Sequence, residues 1–231
     1  MIFEICADNL ETAMVGSTLG CNRVELCSAL TIGGLTPSFG LIKACAEATD
    51  LEIHAMIRHQ EGNFVLNDTD LEIMKSDIVM AKNAGAVGVV FGCLTVYNEV
   101  DIEKLKVLVD LAKSIKLVVT FHRAFDFVSD PLKSINELID LSIDRVLTSG
   151  QKSSAENGVD LIRELVEFSN NRIEVMAGSG VNVNNALLLA EAGVDSLHFT
   201  AYINSESNLS LGMGSKNMPD IDKIKSILNL F

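Results

Sequence analysis

No stretch of this sequence approaches the roughly 18 consecutive apolar residues that a bilayer span requires, so no transmembrane helix is expected. Basic residues are in the minority: 18 Lys and Arg stand against 31 Asp and Glu, a formal net charge of −13. Such a chain is poorly suited to neutralising phosphates, and no nucleic-acid partner is expected. Proline occurs only three times, and no stretch reads as a linker that would divide the chain. The five cysteines, Cys6, Cys21, Cys27, Cys45 and Cys93, are odd in number and include no Cys-x-x-Cys. The opening residues Met1 to Cys6 lack a basic segment and a long apolar segment, so they read as a strand and not as a signal peptide. Reduced thiols in a cytoplasm are the expectation. No Gly-x-Gly-x-x-Gly follows the first strand, so no nucleotide cofactor is indicated.

What is present is a strongly apolar and periodic chain. Hydrophobic residues make up 48% of its 231 positions, which excludes intrinsic disorder. Short apolar runs at residues 2–6, 23–27, 52–57, 88–92, 117–121, 145–148, 174–177 and 196–199 alternate with amphipathic stretches near 9–19, 38–48, 68–83, 101–114, 131–141, 153–169 and 182–192. A last helix is expected near 220–230, after a long irregular loop at 201–218. Thr36-Pro37 and Asp130-Pro131 each read as a helix cap followed by proline at the first helical position. Gly85 and Gly193 stand where helices stop. Eight strand–helix units of about 29 residues each predict one α/β domain over residues 1–231, a TIM (β/α)₈ barrel.

Buried parallel strands read as continuous hydrophobic runs. Here they do not, and the exceptions share a parity. Glu4 and Cys6, then Arg23, Glu25 and Cys27, then His54 and Arg58, then Thr120 and His122, then Ser196, His198 and Thr200 all alternate with apolar neighbours. Successive strand side chains point to opposite faces, and the apolar set faces the helices. The barrel interior is therefore predicted to hold Glu4, Arg23, Glu25, His54, Arg58, His122 and His198. Buried charges need partners, so this set is either a self-satisfying ion-pair network or a working site.

The strand ends point to two chemistries. Thr148-Ser149-Gly150 ends strand six and Gly178-Ser179-Gly180 ends strand seven, at the barrel mouth where sites lie and backbone N–H groups can meet an anion. Arg58 and Arg123 are candidate clamps for a carboxylate or phosphate, with Ser149, Gly150, Gly178, Ser179 and Gly180 beside them. His122, Glu25 and Asp126 are then candidate catalytic groups, His122 and Glu25 as an acid–base pair. No lysine sits inward on a strand, which argues against a Schiff-base aldolase. Cys6 and Cys27 end adjacent strands with inward parity, and strands lie about 4.8 Å apart, so both thiols could reach one small ion or simply pack as small hydrophobes. Thiolates suit Cu(I), Zn or iron–sulfur clusters. A divalent metal on Glu4, His54, His122 or His198 is a further option, because imidazole and carboxylate suit Zn or Mn.

Several segments resemble the CutC family of proteins proposed to act in copper homeostasis. They are Glu4-Ile5-Cys6, Arg23-Val24-Glu25-Leu26-Cys27, Gly33-Gly34-Leu35-Thr36-Pro37-Ser38, Thr120-Phe121-His122-Arg123-Ala124-Phe125-Asp126, Leu147-Thr148-Ser149-Gly150, Met176-Ala177-Gly178-Ser179-Gly180-Val181 and Leu197-His198. The resemblance runs to about residue 200. It implies a TIM-type barrel, a cytoplasmic homo-oligomer, and Cu(I) held by Cys6 and Cys27. The family's Ile-Arg-Pro-Arg-x-Gly segment stands here as Ile57-Arg58-His59-Gln60-Glu61-Gly62, so its second arginine is Gln60. Its Glu-x-His-x-Ser on strand eight stands as Ser196-Leu197-His198-Phe199-Thr200. The expected function is copper homeostasis through Cu(I) binding. The alternative is an enzyme acting on a small anionic or phosphorylated metabolite.

Overall fold

Alternating polar and apolar residues on parallel strands force closure: the apolar face takes the helices, and the other face must meet itself. A computed structural model, which describes residues 1–204 and 216–231, has that form. Strands β1 (Ile2–Ala7), β2 (Arg23–Leu26), β3 (Glu52–Met56), β4 (Gly88–Phe91), β5 (Val118–Phe121), β6 (Arg145–Thr148), β7 (Glu174–Ala177) and β8 (Ser196–Thr200) pair in sequence order into a closed parallel barrel. The helices between and after them are α1 (Leu10–Leu19), α2 (Phe39–Ala48), α3 (Asp68–Asn83), α4 (Ile102–Ser114), α5 (Pro131–Asp140), α6 (Val159–Ser169), α7 (Ala186–Glu191) and α8 (Ile221–Leu228). This is a single-domain TIM barrel. Among the described residues no helix is long and apolar enough to cross a membrane.

Side chains cap the helix starts. Asn9, Ser38, Asn67, Asp101, Asp130 and Asp220 each accept a hydrogen bond from an N–H in the first turn. Asn67 and Asp70 form a reciprocal capping box, and Pro131 follows the Asp130 cap as expected. The Thr36-Pro37 cap is a correction. The cap is Ser38, because the Thr36 hydroxyl is engaged elsewhere: it accepts from Arg58 N at 3.0 Å and donates to Asp77 at 3.2 Å. Helices six and seven are shorter than expected. Residues 153–158 form a turn tied to the neighbouring loop by Ala155 N donating to Ser179 O at 3.0 Å.

The stretch 201–218 is not wholly irregular either. Its flanks, β9 (Tyr202–Asn204) and β10 (Asn217–Pro219), pair antiparallel, while residues 205–215 lie outside the described residues. The helix after the ribbon, α8, packs on the barrel exterior beside α1, and Phe231 meets Phe3 edge-on at 5.4 Å.

The apolar core lies between barrel and helices, where outward strand residues such as Leu26, Ile53, Phe91, Phe121 and Phe199 are nearly fully buried. Removing each such side chain from water contributes about 1.5–3 kcal/mol. The barrel interior divides into two layers. The lower one is a charge network. Glu174 accepts from Arg23 at 2.6 Å, from Ser196 at 2.6 Å, and pairs with Arg145 at 2.7 Å. Arg145 also donates to Thr120 at 2.9 Å and to His54 Nδ1 at 3.3 Å. Burial would raise the Glu174 carboxyl, but hydrogen bonds from Arg23 and Arg145 outweigh it and hold it at about 2. In this layer ion pairs account for Glu174 and both arginines, while His54 Nε2 is buried with no hydrogen-bond partner among the described residues. His54 belongs to the layer, buried beneath the mouth, and stands in neither of the donor groups that converge among the described residues.

Candidate functional site

The upper layer is built by the ends of β1, β2 and β8. Parallel register sets Cys6 opposite Glu25 and Glu4 opposite His198, so four polar side chains converge on the axis. The Cys6 thiol donates to Glu25 Oε2 at 3.2 Å, and the Cys27 thiol lies 3.6 Å from the same oxygen. Donor atoms of Cys6, Glu25 and Cys27 all lie within 4.8 Å of one another, and so do those of Glu4, Glu25 and His198. His198 Nδ1 is 2.8 Å from Glu4, and its Nε2 is 3.7 Å from Glu25. All five residues are buried.

Electrostatics separate the two groups. Burial would raise the Glu4 carboxyl, but the hydrogen bond and charge of His198 and the charge of Arg23, 3.2 Å away, outweigh it and hold it at about 2. Burial opposes a charge on His198, yet Glu25, Cys6 and Glu4 raise its pKa well above the usual value, so it is an imidazolium. Glu4 is thus a paired anion. Glu25 shifts the other way, pushed up by burial against the pull of His198. The Cys6 thiol is pushed well up by its hydrogen bond with Cys27 and by burial. At Cys27 the contact with Cys6 pulls down, but burial and Glu25 bring the thiol to about 11. The metal-free centre is a pair of protonated thiols against one carboxyl oxygen, and Glu25 Oε1 is buried without a partner.

Gly34 shapes this corner. Its φ of +88° is left-handed, and a Cβ there would stand 2.9 Å from Cys27 Sγ. Cys27, Cys6, Met56 and Val90 form a small apolar cluster around the sulfurs, separate from the main core.

Above the centre opens a cavity of about 690 Å³. Cys6, Glu25 and His198 reach it from the floor. Its wall mixes apolar side chains such as Phe64, Leu94, Phe127 and Tyr202 with Arg58, Arg123, His122 and Lys223. Every strand end contributes.

The structure places the other expected residues as follows. Arg58 is a correction: it follows β3 and lies half-buried in the mouth, not inside the barrel. Its guanidinium donates to the carbonyls of Ile32, Gly34 and Gly62 at 3.0, 3.1 and 3.2 Å and stacks over Phe64 at 5.6 Å. His122 caps a 3₁₀ turn, Arg123–Phe127, through Nδ1 accepting from Ala124 N at 3.2 Å. That bond leaves its proton on Nε2. A Cβ on Gly92 would stand 2.7 Å from the same ring, so only glycine lets it fit. Burial and the charge of Arg58 lower the His122 pKa to about 3. No hydrogen bond joins His122 to Glu25 among the described residues, so the expected acid–base pair is not assembled.

Asp126 is turned away into a clamp. It takes Arg123 Nε at 2.8 Å, Thr148 Oγ1 at 2.6 Å, Ser149 N at 2.9 Å, Ser149 Oγ at 2.9 Å and Gln151 N at 3.2 Å. Ser149 and Gly150 are inside that clamp, and the Gly150 and Gly178 amides donate to Thr148 at 2.9 and 3.0 Å. Ser179 and Gly180 line the cavity itself.

Sequence reasoning missed Arg145, Glu174 and Lys223. The first two obey the parity that revealed Glu25, since Arg145 and Glu174 alternate with Val146 and Val175. Lys223 carried no local signal.

Geometry and fold together define a class: a (β/α)₈ barrel with a buried two-thiol, one-carboxyl centre at the floor of a chamber sized for a small molecule. Within that class the assignment is specific. The model of the CutC family matches residues 1–203, and the chain belongs to that family. The CutC family protein of Pasteurella multocida (strain Pm70) is 42% identical over 201 residues, which is 87% of this chain and 82% of that protein. The solved structure of CutC of Streptococcus agalactiae, a protein proposed to act in copper homeostasis, is 36% identical, with a TM-score of 0.80, and the match covers 86% of this chain and 97% of that one. The 3-hexulose-6-phosphate synthase of Salmonella typhimurium, only 14% identical, has a TM-score of 0.68 over 100% of this chain and 98% of that one, a likeness of fold alone.

Proposed function

We propose that the protein acts in copper homeostasis by taking one Cu(I) ion as cargo on Cys6 and Cys27. The observation that carries this reading is the convergence of the two thiols and Glu25, whose donor atoms lie within 4.8 Å of one another at the cavity floor. Two soft sulfur donors in an apolar cluster suit Cu(I), and with one carboxylate they fall short of the four ligands a structural zinc takes, while Mn favours harder oxygen donors. The second donor group fits a metal poorly, because Glu4 and His198 already neutralise each other and Arg23 holds Glu4 as well. Binding would form two Cu–S bonds and release the two thiol protons, so each ion taken up exchanges for protons that leave to solvent or to Glu25. CutC of Streptococcus agalactiae, which has the same fold and is itself proposed to act in copper homeostasis, supports the reading. The same reading puts the protein in a reducing cytoplasm as a homo-oligomer, and all five cysteines are free thiols.

The test is an anaerobic Cu(I) titration of the reduced protein in competition with a strong chelator. Wild type should bind one equivalent, and a Cys6→Ser, Cys27→Ser variant should lose it. Equal binding by the variant would sink the proposal.

A further inference from the structure

We propose that the cavity binds a small organic anion, carrying phosphate or carboxylate on an apolar skeleton, and that Lys223 with Arg58 recognises its charge. The inference does not rest on the metal reading, since neither residue touches the thiols.

The first observation is a pair of cations that form no ion pair among the described residues. The chain carries 31 acidic residues against 18 basic ones, so a basic side chain lacking a carboxylate partner inside a cavity calls for a reason. Arg58 forms no ion pair among the described residues, the charge of Glu61 acting only from further off: its three hydrogen bonds go to neutral carbonyls, and its Nε is buried with no hydrogen-bond partner. Lys223 is similar. Its backbone N–H bonds Asp220 at 3.0 Å and its carbonyl accepts from Ser226 Oγ at 2.8 Å, but its ammonium makes no hydrogen bond or ion pair among the described residues and lies half-buried in the cavity wall. Arg123 is different, because Asp126 neutralises it at 2.8 Å.

The second observation is a set of neutral donors on the same cavity. His122 presents Nε2–H, and burial together with Arg58 keeps the ring uncharged, so it donates without competing for the counter-ion. The amides of Ser179, Gly180 and Val181 donate to no acceptor among the described residues, and all three residues line the chamber. Backbone donors left open at a concave surface are suited to an oxyanion. Among the described residues Glu25 is the one carboxylate in the lining, and it is occupied by the thiols on the floor.

The third observation is size and character. About 690 Å³ far exceeds one ion, and Phe64, Leu94, Phe127 and Tyr202 offer apolar wall to a carbon skeleton. Burial lowers the Lys223 pKa against the opposing charge of Asp220, as expected for an ammonium awaiting a counter-ion. Lys223 also lies outside the part of the chain that the family model matches, which ends at residue 203.

The test is calorimetric titration at low salt with four probes: inorganic phosphate, glycerol 3-phosphate, malate and uncharged glycerol. Wild type and the variants Lys223→Met, Lys223→Gln, Arg58→Met and Lys225→Met are compared, each checked for a native melting curve. Lys223 carries the argument, since replacing Arg58 also frees the three carbonyls it holds. Saturable binding of glycerol 3-phosphate or malate, at least tenfold weaker in both Lys223 variants and unchanged in Lys225→Met, supports the proposal. Which probe binds tighter tells phosphate from carboxylate. The proposal is overturned if no anion binds wild type, if glycerol binds equally well, or if the Lys223 variants bind as wild type does. The Lys223 variants test anion binding and the Cys6→Ser, Cys27→Ser variant tests copper binding, so either reading can fail alone.

Discussion

Glu4→Gln isolates the charge that holds the upper layer together. Glutamine keeps the shape and can still accept from His198, so only the negative charge is lost. In the folded protein Glu4 is fully buried, with Arg23 Nε at 3.2 Å and His198 Nδ1 at 2.8 Å. Screening by solvent is negligible there, and removing one partner strands the others. Breaking a buried pair this way costs about 3–5 kcal/mol. Arg23 retains Glu174 at 2.6 Å, so the lower end applies, about 3 kcal/mol. The dependence on pH is as specific as the magnitude. His198 has its pKa raised above 6.5, so its contribution is complete below 6.5 and fades as pH rises through the folded value. Glu4 is held at about 2 instead of 4.5, so its contribution is complete above 4.5 and fades as pH falls toward 2. The gap between wild type and Glu4→Gln should therefore be widest between about pH 4.5 and 6.5 and narrow on either side. Urea denaturation of both proteins from pH 3 to 10 measures it. A gap below about 1 kcal/mol at pH 5.5, or one that does not vary with pH, would refute the paired-charge account.

Three further outcomes follow from local geometry. The His122 ring should show no NMR titration between pH 5 and 8, because its pKa is lowered to about 3. Since the unfolded chain takes up that proton near pH 6.5 and the folded one does not, wild type should lose about 2–3 kcal/mol between pH 7 and 4.5, and His122→Asn should flatten that loss in chemical denaturation. Asp126→Ala leaves four donors without that acceptor, Ser149 Oγ keeping Lys152 O at 2.6 Å, and should cost about 3–5 kcal/mol in the same assay, with the 148–151 turn losing amide-exchange protection first. Gly34→Ala, at φ +88° with a Cβ 2.9 Å from Cys27 Sγ, should destabilise by about 1–3 kcal/mol and weaken Cu(I) binding, whereas Gly20→Ala, at φ +98° with open space around it, should cost only the backbone strain.

The fold was legible because strand parity is a strict period of two. Glu4, Arg23, Glu25 and His198 read as inward for the reason they are inward. Arg145 and Glu174 follow the same rule but open their strands, where a charged first residue resembles an ordinary solvent-facing end. Parity fails once a strand stops: Arg58 lies two residues past Met56, and the loops decide where its side chain goes. Asp126 shows the same limit. Its position in Thr-Phe-His-Arg-Ala-Phe-Asp looks catalytic, but a 3₁₀ turn carries it to the neighbouring strand end, where it collects backbone donors. Lys223 was beyond reach for a topological reason. It stands 23 residues after Thr200, and only the return of the β9–β10 ribbon brings the start of α8 back to the mouth.

Division of the barrel interior into two layers settles what each charge is for, and it can be tested by crossing variants with assays. The lower layer joins Glu174 to Arg23, Arg145 and Ser196 with no contact to the cavity. The upper layer runs from Arg23 through Glu4 and His198 to Glu25 and the thiols. If the lower layer only holds the barrel closed, Glu174→Gln should cost about 3 kcal/mol in urea denaturation and leave both Cu(I) stoichiometry and anion affinity within twofold of wild type. Cys6→Ser with Cys27→Ser should do the reverse, because two buried thiols exchanged for hydroxyls alter little volume but remove both soft donors. Arg23 is the single side chain common to the two layers, bonded to Glu174 on one side and paired with Glu4 on the other. Arg23→Lys keeps the charge but cannot fork, so it should lose one of the two contacts and shift both stability and the His198 titration. If Glu174→Gln moved the copper or anion result as far as Arg23→Lys does, the layers would be one unit, and the lower charges would belong to the site.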